Sequence, residues 1–240
     1  MTTFIGFDDV LDNPAWHSLT GVHARFAQVH GRAGRYQSDV APFHALGTPE
    51  DPRSWADLAT LVEPETEVML AGLGGQARPG WEPTRSIPGV QLIDVALRAA
   101  PDPSAEVLGA KDVPEILDLI GRTQPGPYLS RTVELGTYLG LRDEGRLVAM
   151  AGERLHPPGF TEISAVCTDP AYRGKGLATR LVRAVAAGIL DRGETPFLHT
   201  GAANTTAIRL YEKLGFELRR HVDFTAYRST TRAGRPALRV

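Results

Sequence analysis

Between Thr161 and Arg192 the chain changes period. Thr161 to Thr168 reads as a strand. After Asp169-Pro170-Ala171-Tyr172-Arg173-Gly174-Lys175-Gly176, apolar residues recur as Leu177, Leu181, Val185 and Ile189, with Val182 alongside, until Gly193. A period of two giving way to one near 3.6 predicts a strand feeding a long helix, about Gly174 to Arg192. The first turn of a helix leaves backbone N–H groups without intrahelical partners, and those groups with the helix dipole suit a phosphate. Gly174 and Gly176 remove side chains that would keep an anion from the backbone, and Arg173 and Lys175 add positive charge at the same turn. Other phosphate loops fit less well. A dinucleotide fingerprint needs a third glycine where Thr179 stands. A Walker loop needs a glycine at Asp169 and a Ser or Thr after Lys175. A helix start with solvated basic residues is the plainer alternative.

The remaining chain divides around Ala99-Ala100-Pro101-Asp102-Pro103, which reads as a linker between residues 1–100 and a region at 103–228, with 229–240 a loose polar tail. In the first part, Leu19, Val22, Phe26 and Val29 predict a helix closed by Gly31. A second helix follows Asp51-Pro52, with Trp55, Leu58, Leu61 and Val62 on its buried side. Glu67–Ala71 and Val90–Val95 predict strands, and Gly72–Gly89 a loop with one further strand near Trp81. In the second part, Glu106–Gly109 predicts a strand, and Asp112 caps a helix carrying Val113, Ile116, Leu117 and Ile120. A short helix follows near Arg131–Leu135. Tyr138–Arg142, Arg146–Arg154 and Thr161–Thr168 predict an antiparallel meander turning at Asp143-Glu144-Gly145 and His156–Gly159. After the long helix come a strand at Pro196–Thr200, a helix capped by Asn204 and ended by Gly215, and strands at Phe216–Arg220 and Val222–Tyr227.

Composition narrows the function. A net charge of −2 gives no reason to expect nucleic-acid binding. The one cysteine, Cys167, allows no internal disulfide and fits a reducing compartment. Met1–Val10 carries Asp8 and Asp9 and no basic segment, and no apolar run reaches the ~20 residues of a membrane helix, so a cytoplasmic protein without membrane partners is expected. Histidines such as His17, His23, His30 and His199 show no ligand spacing, so no metal is expected.

The run Val166-Cys167-Thr168-Asp169-Pro170-Ala171-Tyr172-Arg173-Gly174-Lys175-Gly176-Leu177-Ala178 resembles the central motif of the GNAT (Gcn5-related N-acetyltransferase) superfamily, a strand followed by Arg/Gln-x-x-Gly-x-Gly/Ala. Asn204-Thr205-Thr206-Ala207-Ile208-Arg209-Leu210-Tyr211-Glu212-Lys213-Leu214-Gly215-Phe216 resembles its second motif. The resemblance covers about Pro103 to Arg228 and points to the FR47-like and glycine N-acyltransferase-like branch. It implies an α+β fold, a mixed central sheet with flanking helices, preceded by a smaller α/β region that such branches often carry as a degenerate GNAT-like half. It also implies an N-acyltransferase that moves an acetyl or short acyl group from acyl-CoA to a small amine or amino acid by direct attack in a ternary complex. Homodimerisation is compatible with it. The cosubstrate pyrophosphate would lie on the amides of Arg173, Gly174, Lys175, Gly176, Leu177 and Ala178. The pantetheine arm would pair with the backbone of Val166, Cys167 and Thr168, and Asn204 would contact it. A noncatalytic acyl-CoA-binding sensor is the rival reading.

That chemistry needs a neutral amine, an oxyanion donor and a proton for the leaving thiolate. Tyr211 matches the family's thiolate acid, or packs with Ile208 and Leu214. Asn204 is a cofactor contact or an ordinary cap. Glu162 is the candidate base, sharing one strand face with residues 164 and 166, two residues out of the commonest family register. It is otherwise a solvated strand residue, Glu153 being the reserve. Cys167, of opposite parity, reads as a small buried residue rather than an acyl carrier. Tyr128 and Leu129 line an acceptor wall or close the core.

Overall fold

A computed structural model describes residues 8–230. The N-terminal part contains α1 (Asp8–Asp12), α2 (Pro14–Leu19), a small sheet of β1 (Ala27–His30), β2 (Ala33–Tyr36) and β3 (His44–Leu46), then α3 (Pro52–Leu61), β4 (Glu67–Ala71) and β5 (Trp81–Asp94). There follow β6 (Glu106–Leu108), α4 (Val113–Thr123), β7 (Tyr138–Asp143), β8 (Arg146–Glu153), β9 (Phe160–Thr168), α5 (Leu177–Asp191), β10 (Thr195–Gly201), α6 (Thr205–Leu214) and β11 (Phe216–Ser229).

Eight strands form one sheet in the order β4-β11-β5-β10-β9-β8-β7-β6. Every pairing is antiparallel except β9 with β10, whose crossover is α5. Residues 99–103, expected to be a linker, lie between β5 and β6. Strands from both sides of them nevertheless share the sheet, since β5 is inserted between β10 and β11.

Periodicity explains the layers. The stripe Leu181, Val185 and Ile189 of α5 buries against Leu92, Ile163 and Leu198, with Tyr211 of α6 in the same cluster. On the other face α4 covers Tyr138, Met150 and Cys167, and the N-terminal layer packs Leu11, Leu19 and Phe26 with Phe160 and Phe197.

Several expectations give way to tertiary structure. No helix spans Leu19–Val29. The α2 helix stops at Leu19, and Val22 and Val29, at 68% and 50% exposure, form no buried stripe. The strand expected at Val90–Val95 begins at Trp81, taking in most of the supposed loop, because β11 pairs along its whole length. Conversely, the two final strands are one, with a bulge at Arg219. On α4 Ile116 is buried as expected, but its companion is Leu119, and Leu117 is exposed. Asp112 does not cap α4 with its side chain; its carboxylate accepts from the Gly109 N–H and from Arg142. The tail falls outside the described residues from position 231, as do residues 1–7 of the N-terminal segment, and Ser229 belongs to β11.

Candidate active site

Strands β9 and β10 pair from Thr195–Phe160 to Phe197–Glu162, and no pairing continues beyond that point. They diverge above Glu162, and the cleft so opened, about 810 Å³, is lined by Ile163–Thr168 on one side and His199–Gly201 on the other. At its outer end lies the glycine turn. Asp169 fixes the turn's start by accepting from the Ala171 N–H at 3.0 Å and the Arg146 guanidinium at 3.2 Å. Gly174 and Gly176 have φ of 78° and 76°, and a Cβ at either would project into open space. Helix α5 begins at Leu177, after the second glycine rather than at the first, so the amides of Leu177 and Ala178 belong to its unpaired first turn. Arg173 and Lys175 are exposed beside them, the Lys175 ammonium lying 4.6 Å from the centre of the Tyr172 ring. An open helix start, bare backbone and two cations at one end of a long cleft fit a diphosphate.

The cleft's other long wall is α6. The Asn204 side chain accepts from the Ala207 N–H at 3.2 Å, so it caps the helix, while its amide nitrogen remains beside the cleft. Tyr211 lines the cleft too, 7% exposed, its ring edge-on to Phe216 at 6.1 Å. Burial pushes its phenol up to about 12, so it is protonated at neutral pH and able to donate.

The strand β9 does not keep one parity. Met150 pairs with Cys167 and Gly152 with Ser164, so Ala151 opposes both Ala165 and Val166, and Ala165 has φ of 53°. The bulge turns Val166 toward the α5 cluster, whereas Ala165 and Cys167 pack on the α4 side. The shared face expected for residues 162, 164 and 166 is therefore broken at Ala165, and Cys167 has not the opposite parity to Glu162 but the same. Burial raises the Cys167 thiol to about 11, which suits a packed thiol and not a nucleophile. Tyr128 is buried against Tyr138 at 5.4 Å between ring centres and closes the core.

Glu162 is neither solvated nor free. It is fully buried, and accepts from Arg154 at 2.9 Å on Oε2 and 2.6 Å on Oε1, and from His199 Nδ1 at 2.8 Å on Oε1. Burial alone would raise its carboxyl, but the Arg154 guanidinium and the His199 ring prevail and hold it down to about 2. As a direct base for an amine it is engaged on both oxygens and too weak. The reserve candidate, Glu153, is buried and paired with Arg192 at 3.0 Å.

Sequence reasoning missed the partners of Glu162. Gln91 on β5 donates from Nε2 to Leu11 O at 2.8 Å and to His199 Nε2 at 3.0 Å, while its Oε1 accepts from Arg219 at 2.8 Å. Arg219 and Arg220 both reach Asp12 Oδ1, at 2.8 and 2.6 Å. The donors and acceptors fix the His199 tautomer. Ionised Glu162 only accepts, so Nδ1 carries the proton; the Gln91 amide nitrogen only donates, so Nε2 carries the lone pair. A row of polar side chains thus crosses one face of the sheet, from Arg154 through Glu162, His199 and Gln91 to Arg219, Asp12 and Arg220. The hint in the sequence is the placing of Glu162, His199 and Gln91 directly beside the apolar residues Ile163, Leu198 and Leu92. Among the described residues no His, Cys, Asp and Glu cluster could hold a metal ion, and no helix is long and apolar enough to cross a membrane.

Known proteins share this architecture. The FR47-like protein family matches residues 138–225. The crystal structure of a GNAT-family protein from Novosphingobium aromaticivorans, described as a candidate acetyltransferase, is 42% identical, with a TM-score of 0.83 over 92% of this chain and 99% of that one. A GCN5-related N-acetyltransferase from Kribbella flavida, 18% identical, shares the fold at a TM-score of 0.62 over 95% and 97% of the two chains. In sequence, the N-alpha-acetyltransferase RimI of Mycobacterium tuberculosis is 39% identical over 33% of this chain and 51% of its own length. The mycothiol acetyltransferase of Thermomonospora curvata is 37% identical over 34% of this chain and 27% of its own. The chain thus spans about half or less of these two curated relatives. Its split parallel pair, its glycine turn and its full-length likeness to the Novosphingobium structure place this chain in the GNAT family, with the FR47-like match over residues 138–225.

Proposed function

We propose that this protein transfers an acetyl or short acyl group from acyl-CoA to a primary amine within a ternary complex. The observation that carries the reading is the divergence of β9 and β10 above the Glu162–Phe197 pair, with the glycine turn at its outer end and Tyr211 along its wall. The diphosphate lies on the amides of the turn between Arg173 and Ala178, and the pantetheine arm runs along Val166, Cys167 and Thr168 past Asn204. This sets the thioester near the vertex. The bulge at Ala165 interrupts the ladder and frees backbone N–H there to meet the developing oxyanion. The amine nitrogen attacks the thioester carbon, the carbon–sulfur bond breaks, and Tyr211 gives its proton to the departing thiolate, recovering one from water in the open cleft. The excess proton on the amine goes to the lone pair of His199 Nε2, with the Gln91 amide moving aside. Glu162 contributes by holding the ring in that tautomer, as a positioning residue.

A sensor that binds acyl-CoA without turnover would need none of the buried phenol, the oriented imidazole or the opening behind them, and their coexistence favours the enzyme. The test is release of free thiol from acetyl-CoA with a panel of amines, alongside thermal shifts with acetyl-CoA, CoA and NAD. Stabilisation by both CoA species and amine-dependent thiol release are expected. Stabilisation by NAD alone would remove the reading, and binding without turnover would leave the sensor.

A further inference from the structure

A second cavity, about 380 Å³, lies on the other face of the sheet beneath the N-terminal layer, and Arg154 and His199 line both it and the cleft. The two spaces meet at the residues that border the vertex. We infer that this second cavity is the acceptor site, and that it takes an amine with an apolar body and a carboxylate several bonds from the nitrogen, held by Arg220. The inference rests on the acyl-transfer reading.

Three observations carry it. First, the polar row ties the floor of the cavity to the vertex. His199, Gln91 and Arg220 stand in register on the adjacent strands β10, β5 and β11. Strands lie about 4.8 Å apart, so the backbones at His199 and Arg220 are roughly 10 Å apart. An amine at His199 and an anion at Arg220 must therefore be joined by a spacer, which an α-amino acid using only its own α-carboxylate lacks. Second, the walls between those ends are apolar: Phe43, Met69, Leu70 and Phe224 border the cavity, and the Arg154 guanidinium lies over the Phe43 ring at 4.8 Å. The charged groups Asp12, Arg154 and Arg220 thus stand apart from an apolar stretch of wall, as in a site that orients one end of an apolar ligand. Third, Arg220 engages Asp12 through Nη1 at 2.6 Å and donates from Nε to the His221 carbonyl at 3.5 Å, while its Nη2 makes no hydrogen bond among the described residues. A guanidinium whose Nη2 is unengaged keeps donors for a second carboxylate. His44, also on the wall, is held down to about 4 chiefly by burial, so it is neutral at pH 7 and offers no competing cation. The other carboxylate at the rim, Glu50, is paired with Arg78 at 3.1 Å and does not oppose the anion.

The experiment uses the full chain with acetyl-CoA and three series of acceptors: plain alkylamines, α-amino acids, and ω-amino acids of increasing length. Among these, kcat/KM should peak at an intermediate ω-amino acid and exceed that for the alkylamine of equal length. Arg220→Gln should raise KM for the best ω-amino acid by roughly 10- to 100-fold, the worth of a hydrogen bond to a charged group, and leave KM for alkylamines unchanged. Met69→Trp should fill the cavity and abolish transfer to long acceptors while acetyl-CoA still raises its Tm, which certifies the variant as folded. Thiol release with no preference for carboxylates, or insensitive to both substitutions, would overturn the acceptor assignment and leave the acyl-transfer reading standing. No thiol release with any amine would remove both.

Discussion

The two faces of the sheet are made in different ways. The cleft face is built from backbone over short stretches: a pair of strands that part, two glycines with positive φ, and the unpaired first turn of α5. The opposite face is built from side chains drawn from distant positions, with Asp12, Gln91, Arg154, Glu162, His199 and Arg219 meeting in one row. A cosubstrate common to many enzymes can be held by peptide groups that every sequence possesses. An acceptor peculiar to one enzyme has to be recognised by side chains, which are free to differ.

If side-chain charge holds the second face, removing one member should cost more than any change at the turn. Glu162→Ala leaves the Arg154 guanidinium buried without its counter-ion, and should lower unfolding free energy by about 3–5 kcal/mol in urea titrations, much of it restored by Glu162→Leu combined with Arg154→Met. Because the folded carboxyl sits near 2, below its ordinary 4.5, its stabilisation is complete above about pH 4.5 and is lost as pH falls toward 2. Wild-type stability should decline through that window by an amount on the order of 3 kcal/mol that the double variant does not show. A flat profile in the wild type would mean that the row contributes little.

Tyr211→Phe separates chemistry from binding on the cleft face. It should reduce kcat by at least ~10²-fold and leave the dissociation constant of acetyl-CoA within a factor of about two, since only the proton is removed. Gly176→Val tests the backbone cradle: the branched side chain is strained at φ of 76° and projects toward the cleft, so CoA affinity should fall about tenfold or more by calorimetry. The smallest effect belongs to Asn204→Ala, which should cost about 1 kcal/mol of stability through the lost cap, with a further loss of CoA affinity only if its amide reaches the cosubstrate arm.

The same contrast explains what could be read from the chain. The glycine turn, the α5 stripe and the Asn204-to-Phe216 run are local patterns, and the structure has them where spacing predicts, with α5 starting nearly a turn late because Gly176 is itself left-handed. Beyond a few residues the reading fails for identifiable reasons. Ala165 carries no turn signature, so nothing announces the bulge that reverses the facing of Val166 and Cys167. Glu162 looks like a solvated strand residue or a base until Arg154 and His199 are brought beside it. Gln91 is unremarkable in sequence because its three partners, Leu11, His199 and Arg219, lie 80 residues or more away. Val22 and Val29 imitate a helix face only because spacing says nothing of burial.

The position of β5 bears on how the molecule is made. This 14-residue strand precedes, in synthesis, both of its neighbours, β10 and β11, by about a hundred residues. A chain emerging from the ribosome must therefore carry β5 without either lateral neighbour until its last third is complete. A fragment starting at 103 would strand β10 and β11 with open edges, an arrangement prone to aggregate. Slow, late closure of the nascent chain and poor solubility of such a fragment are the expected outcome of threading an early strand through the middle of a late sheet.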